Sequence, residues 1–179
     1  MNRSEFYKAL VADFVALVGD SSDVISNTAN LSSLLFTRLR AEYGESATNW
    51  AGFYFRSSPT ELKLGPFCGE PACQLLRFNK GVCGAAARDK KTLLVKDVHA
   101  FPGHVACDER SNSELVVPLF FKPAGKDPIV IAVLDMDSPK IGGFSECDQE
   151  HCEKLVQILQ EKCDFQRLLN YYSLDYNSL

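Results

Sequence analysis

The residues best equipped for chemistry are cysteines and carboxylates. Cys73, Cys83 and Cys107 fall at turns or element edges of the chain, where side chains reach ligands more readily than in a strand or helix interior. A cysteine on a loop that can meet a second one suits a redox cycle, because the sulfenic acid made on the first is resolved to a disulfide by the second. Cys83 opens a Gly/Ala-rich helical stretch and Cys107 lies near His104 and Arg110, so each has a physical route to a lowered thiol pKa. The acids point the same way. Asp135 and Asp137 flank Met136 at the end of a strand-like run, so a period of two puts both on one face, and Glu114 begins the preceding run. Like charges held together keep at least one carboxyl protonated at neutral pH, and the ionised ones attract an amine.

Cys107 belongs to the stretch His99–Glu114, which carries two histidines, an arginine and several acids around a Pro102-Gly103 turn. It reads as a functional loop without apolar anchors, one that moves so that Cys107 meets substrate and then a second thiol. Zinc is a competing use of His99, His104 and Cys107 with Cys83 or Cys73, but the spacing H-x4-H-x2-C is not a usual structural-zinc pattern. Trp50 and Tyr54 share a strand face and suit either the core or an aromatic pocket for a methyl group or a cation. Cys152 and Cys163 repeat at core spacing in the last helical pattern and are read as packing residues.

Composition narrows the setting. The chain has 179 residues, 46% hydrophobic and 23% charged, enough for one domain that buries roughly 70% of its unfolded surface. No apolar run reaches the ~18 residues of a membrane span, and the first residues do not resemble a secretory signal, so a cytoplasmic protein is expected. A net charge of −4 with scattered basic residues excludes a nucleic-acid footprint and favours small molecules or proteins as partners. Seven cysteines cannot form a closed disulfide framework, and in a reducing compartment some should have redox or metal chemistry.

The elements that must position these residues are read from periodicity. Phe6, Leu10, Phe14 and Leu17 mark one amphipathic helix, and Leu31, Leu35 and Leu39 a second that ends at Gly44. Two antiparallel strands follow, 50–55 and 61–66, turning at Ser57-Ser58-Pro59, then a helix from about Cys83 and a short strand at Thr92–Val95. Leu115–Phe121 and Ile129–Leu134 read as central strands covered on both faces. Ser145 to Asp148 has capping-box spacing before a long C-terminal helix. The order predicts an α+β fold, one antiparallel sheet flanked by N- and C-terminal helices.

With these motifs in view, the chain resembles a known family. Asn49-Trp50-Ala51-Gly52-Phe53-Tyr54, Leu64-Gly65-Pro66-Phe67, Pro71-Ala72-Cys73, Gly81-Val82-Cys83-Gly84, the run Asp97–Cys107, Ser113-Glu114 and Val133–Pro139 are similar to the free methionine-R-sulfoxide reductases, which are single GAF domains. The resemblance implies one GAF domain over residues 1–179 and reduction of free L-methionine-R-sulfoxide to L-methionine. It also implies an intramolecular disulfide that thioredoxin reduces, and no cofactor or metal. It matches the family's functional cysteines to Cys73, Cys83 and Cys107, its aromatic walls to Trp50 and Tyr54, and its pocket acids to Glu114, Asp135 and Asp137. Cys107 is expected to attack and Cys83 or Cys73 to resolve, although the helix-start argument favours Cys83 as attacker. GAF domains often pair through terminal helices, so a homodimer is expected by analogy. Many GAF domains bind regulatory ligands without catalysing a reaction, and a pure binding module is the competing class.

Overall fold

The computed structural model describes residues 2–103 and 108–179. His104 and Cys107, and with them the predicted movement of their loop, lie outside the described residues. Two helices lead the chain. Helix α1 (Arg3–Val18) starts at a capping box in which the Asn2 side chain accepts from Glu5 N at 2.9 Å, and α2 (Val24–Tyr43) starts where Asp23 accepts from Ser26 N at 2.7 Å. Gly44 ends α2 with a positive φ of 88°, as the sequence required of that position.

The hairpin follows as β1 (Trp50–Ser58) and β2 (Glu61–Gly69), with β2 running three residues past the expected end at Pro66. The apolar piece at Leu75 becomes a short strand, β3 (Leu75–Arg77). Helix α3 (Gly81–Asp89) begins two residues before Cys83, which therefore sits in its first turn rather than at its start. Then come β4 (Leu93–Val95), β5 (Ser113–Phe121), β6 (Ile129–Ser138), α4 (Glu146–Lys162) and a short α5 (Gln166–Tyr171) that periodicity did not predict. The capping box of α4 is present, with Ser145 N donating to Asp148 Oδ2 at 2.8 Å. Cys163 packs against the larger core as read, but it is the half-buried C-cap beyond α4 rather than a residue of its helical face, and it accepts from Asn27.

The strands form one six-stranded antiparallel sheet in the order β3-β2-β1-β6-β5-β4. This is the predicted α+β arrangement. Strand alternation assigns two cores. Ala51, Phe53, Phe55, Leu115, Val117, Leu134 and Met136 pack with α1, α2 and α4 in the larger one. Trp50, Tyr54, Val116, Val130 and Val133 point to the other face and pack with Val82, Cys83 and Ala86 of α3. The loop leaving β4 is better anchored than its polar sequence suggested: Val98 is fully buried and Phe101 packs against the second core.

Candidate active site

On the α3 face, β5 and β6 are paired so that Glu114 stands opposite Asp137 and Val116 opposite Asp135; across β1, Trp50 pairs with Asp137 and Gly52 with Asp135. All three acids thus come to one end of the sheet on one face. Gly52, opposite Asp135, lets Phe67 and the Trp50 ring close over β1, since a Cβ there would lie 2.3 Å from Phe67 Cβ and 2.6 Å from Trp50 Cη2. Helix α3 closes over the acids, held near β3 by Gly84, whose Cβ would lie 2.2 Å from the Arg77 carbonyl oxygen. That approach brings Cys83 Sγ to 3.8 Å from Glu114 Oε1.

Between α3 and the sheet lies a cavity of about 220 Å³, lined by Tyr54, Cys83, Glu114, Asp135 and Asp137. Leu75, Leu76, Arg77 and Lys80 form one side of it, and Asp108 and Ser111 the other. The volume is below the ~300–1,000 Å³ of sites for drug-sized ligands and suits a molecule of amino-acid size. Tyr54 forms the aromatic wall. Trp50 stands behind it, 2% exposed, stacked on Tyr54 at 5.7 Å and on Phe67 at 5.3 Å, with its Nε1 donating to the Glu70 carbonyl at 3.2 Å.

Burial dominates the electrostatics. It pushes the Glu114 carboxyl well above its ordinary range, with Asp135 and Asp137 adding to the effect, and it raises Asp137 in the same way with Asp135 beside it. Asp135 is pushed up to about 6 by burial, while hydrogen bonds with Cys83 and Glu114 hold it lower than the other two. Glu114 therefore keeps its proton more tightly and donates it to Asp135. The Cys83 thiol is pushed well up by burial and then by Asp135 and Glu114. Asp135 Oδ1 is buried with no hydrogen-bond partner among the described residues.

Cys73 is half-buried between β2 and β3 and is disulfide-bonded, whereas Cys68, Cys83, Cys147, Cys152 and Cys163 are free. The His99 ring meets Asn112 Oδ1 at 2.9 Å on the surface. Among the described residues, the group whose ligand atoms come together for a metal is instead Cys83, Glu114 and Asp135, all within 4.8 Å of one another.

A second ring of residues surrounds these, of which sequence had singled out only Arg110, as a neighbour of Cys107. Asn49 Nδ2 donates to Asp108 Oδ2 and to Ser111 Oγ, both at 3.0 Å, and Ser111 in turn hydrogen-bonds Asp137. Arg110 grips Asp108 at 2.8 Å and holds that carboxyl well below the usual range. Asn49 directly before Trp50, and the Asp-x-Arg-Ser order at 108–111, were the available signals. Arg77 and Lys80 gave no signal beyond their charge.

No protein-family model matches the chain. It is 41% identical over 161 residues to a free methionine-R-sulfoxide reductase of Escherichia coli (strain K12), covering 90% of each chain. The chain belongs to the free methionine-R-sulfoxide reductase family. Among solved structures, the free methionine-R-sulfoxide reductase of Neisseria meningitidis in complex with its substrate is 33% identical, with a TM-score of 0.81 and 94% of both chains covered. A GAF domain structure superposes with a TM-score of 0.84 at 37% identity, over 92% of this chain and 90% of that one. The GAF fold and the reductase family that the motifs implied are therefore both shown.

Proposed function

We propose that this chain, as a single GAF domain over residues 1–179, reduces free L-methionine-R-sulfoxide to L-methionine through a cysteine sulfenic acid and an intramolecular disulfide. Membership of the reductase family makes it an oxidoreductase of methionine sulfoxide. The observation that carries the finer reading is the gathering of two buried carboxyls, the half-buried Asp137, Tyr54 and a thiol around one cavity of amino-acid size. Ionised Asp135 binds the substrate ammonium, Tyr54 backed by Trp50 receives the methyl sulfur end, and protonated Glu114 faces the sulfoxide oxygen.

The Cys107 thiolate attacks the sulfoxide sulfur, a carboxyl of the trio gives its proton to the oxygen, and methionine leaves a sulfenic acid on Cys107. The thiol of a second cysteine then displaces the hydroxyl, releasing water and closing a disulfide. Cys73 is favoured as that second cysteine. It is disulfide-bonded while Cys83 is free, which supports Cys73 rather than Cys83 as the thiol that closes the disulfide. Asp108, next to Cys107 in sequence, lines the cavity, as attack there requires. A dithiol protein such as thioredoxin returns the disulfide to thiols by exchange, in the cytoplasm, where the free cysteines persist. No helix among the described residues is long and apolar enough to cross a membrane. A homodimer through the terminal helices is consistent with the exposed Val15 and Leu17 of α1.

Single-turnover kinetics test the reading. Reduced protein should lose two thiols and form one methionine per chain from the free R-sulfoxide, and leave the S epimer untouched. Cys73→Ser should release its methionine and stall as a sulfenic acid, while Cys107→Ser releases none. One equivalent released by Cys107→Ser at the normal rate would sink the assignment, and retention of all thiols by the unaltered protein would leave a binding module.

A further inference from the structure

We propose that Cys83, Glu114 and Asp135 form a zinc site inside the cavity, so that zinc competes with the sulfoxide and inhibits the enzyme reversibly. This regulation rests on the reading of the cavity as the substrate site. The three ligand atoms already lie within 4.8 Å of one another, and the Cys83 Sγ to Glu114 Oε1 separation is 3.8 Å. In tetrahedral zinc, a ~2.3 Å bond to sulfur and a ~2.1 Å bond to oxygen place those two atoms about 3.6 Å apart. The ion therefore needs little rearrangement.

A second observation concerns the Asp135 Oδ1 atom. It is buried in a residue only 6% exposed and has no hydrogen-bond partner among the described residues, although it belongs to the cavity wall. A buried carboxylate oxygen without a donor is uncommon in a folded protein unless a ligand completes it. A substrate ammonium can do so, and so can a metal ion, which is the origin of the competition.

The donor set selects among cations. A thiolate with two carboxylates suits zinc, whereas magnesium and calcium take oxygen donors alone. The ligands come from α3, β5 and β6, and the fourth position faces the cavity, so water or an anion completes the tetrahedron. No electron moves: zinc takes the place of the Cys83 thiol proton and of the proton between Glu114 and Asp135, and both are released to solvent. The trio is assembled while Cys73 is disulfide-bonded and Cys83 is free, so the site does not wait on the redox state of Cys73.

The test uses the full chain with the Cys73 disulfide intact and cobalt(II) as probe. One cobalt should bind per chain with a thiolate-to-cobalt charge-transfer band, be displaced by stoichiometric zinc, and bind at least about tenfold more weakly in excess free L-methionine. Cys83→Ala should abolish the band, and Asp135→Asn should weaken binding by about tenfold or more. X-ray absorption of the zinc-loaded unaltered protein covers the case in which a variant fails to fold. It should show one sulfur near ~2.3 Å and oxygen or nitrogen otherwise. Absence of the band, its survival in folded Cys83→Ala, two sulfurs on the zinc, or indifference to methionine would each overturn the proposal. Reductase activity of the same preparation in metal-free buffer separates the two readings. Turnover without cobalt binding defeats the zinc site alone, and cobalt binding without turnover leaves a metal site but overturns the functional reading and the inhibition that rests on it.

Discussion

Asp135→Asn should make the ligand-free protein more stable at pH 7 while impairing its function. The substitution keeps shape and an acceptor for the Glu114 proton but removes the charge. Burial raises Asp135 from an ordinary 3.8 to about 6, so the folded protein binds this proton more tightly than the unfolded chain does. For an acid shifted upward, stability is favoured below the unfolded value and lost as pH rises through the folded one. The full penalty is therefore present above about pH 6. At ~1.36 kcal/mol per pH unit the gap amounts to about 3 kcal/mol. Subtracting up to ~1.5 kcal/mol for a weakened hydrogen bond leaves a net gain of about 1.5 kcal/mol. In a chain of this length that is a rise in Tm of about 3–6 °C. Calorimetry in buffer with a metal chelator reads it directly, with the advantage shrinking toward pH 4 as the native acid is protonated. A variant less stable than the parent at pH 7, or an advantage that grows on acidification, would refute the claim that the buried charge is maintained at the expense of stability.

Gly84→Ala should raise KM and lower Tm together, because its methyl would lie 2.2 Å from the Arg77 carbonyl and force α3, with Cys83, off the sheet. Overpacking of this kind costs about 1–3 kcal/mol, and urea unfolding measures it. Asp148→Ala should destabilise by about 3 kcal/mol or more in the same assay with kcat unchanged. It removes the acceptor of Tyr7 OH at 2.7 Å, of Arg3 Nε at 2.8 Å and of the Ser145 cap, all on the opposite side of the sheet from the cavity.

The backbone of the site was legible because it rests on a period. Asp135 and Asp137 share a face of any strand, and Glu114 at the start of the neighbouring run needed only antiparallel pairing to meet them, which the β5–β6 register supplies. The paired apolar runs, the hairpin and the α4 capping box were readable for the same local reason. What sequence could not show depends on contacts between distant segments. Asn49 touches Asp108 and Ser111 across about sixty residues, and only the folded sheet places the start of β1 beside that turn. Phe101 sits beside a Pro-Gly turn with no periodic pattern around it, yet packs against the α3 core. Strand β3 pairs three residues at a sheet edge, too few to impose a pattern.

Cys83 shows how a local argument can be reversed by tertiary surroundings. Placement in the first turn of α3 favours a thiolate through the helix dipole, an effect of about 0.3–1 kcal/mol at exposed sites. Against it stand complete burial and two carboxyls, with Glu114 only 3.8 Å away, and these act on the charged form with greater force in a medium of low dielectric. The balance leaves Cys83 a neutral thiol and a weak nucleophile. Cys73 has no such burden: it is half-buried on a loop, and its bond to sulfur is already made. In the proposed zinc site, displacement of the Cys83 proton by the cation would turn that thiol into a ligand beside the same carboxyls that hold it neutral.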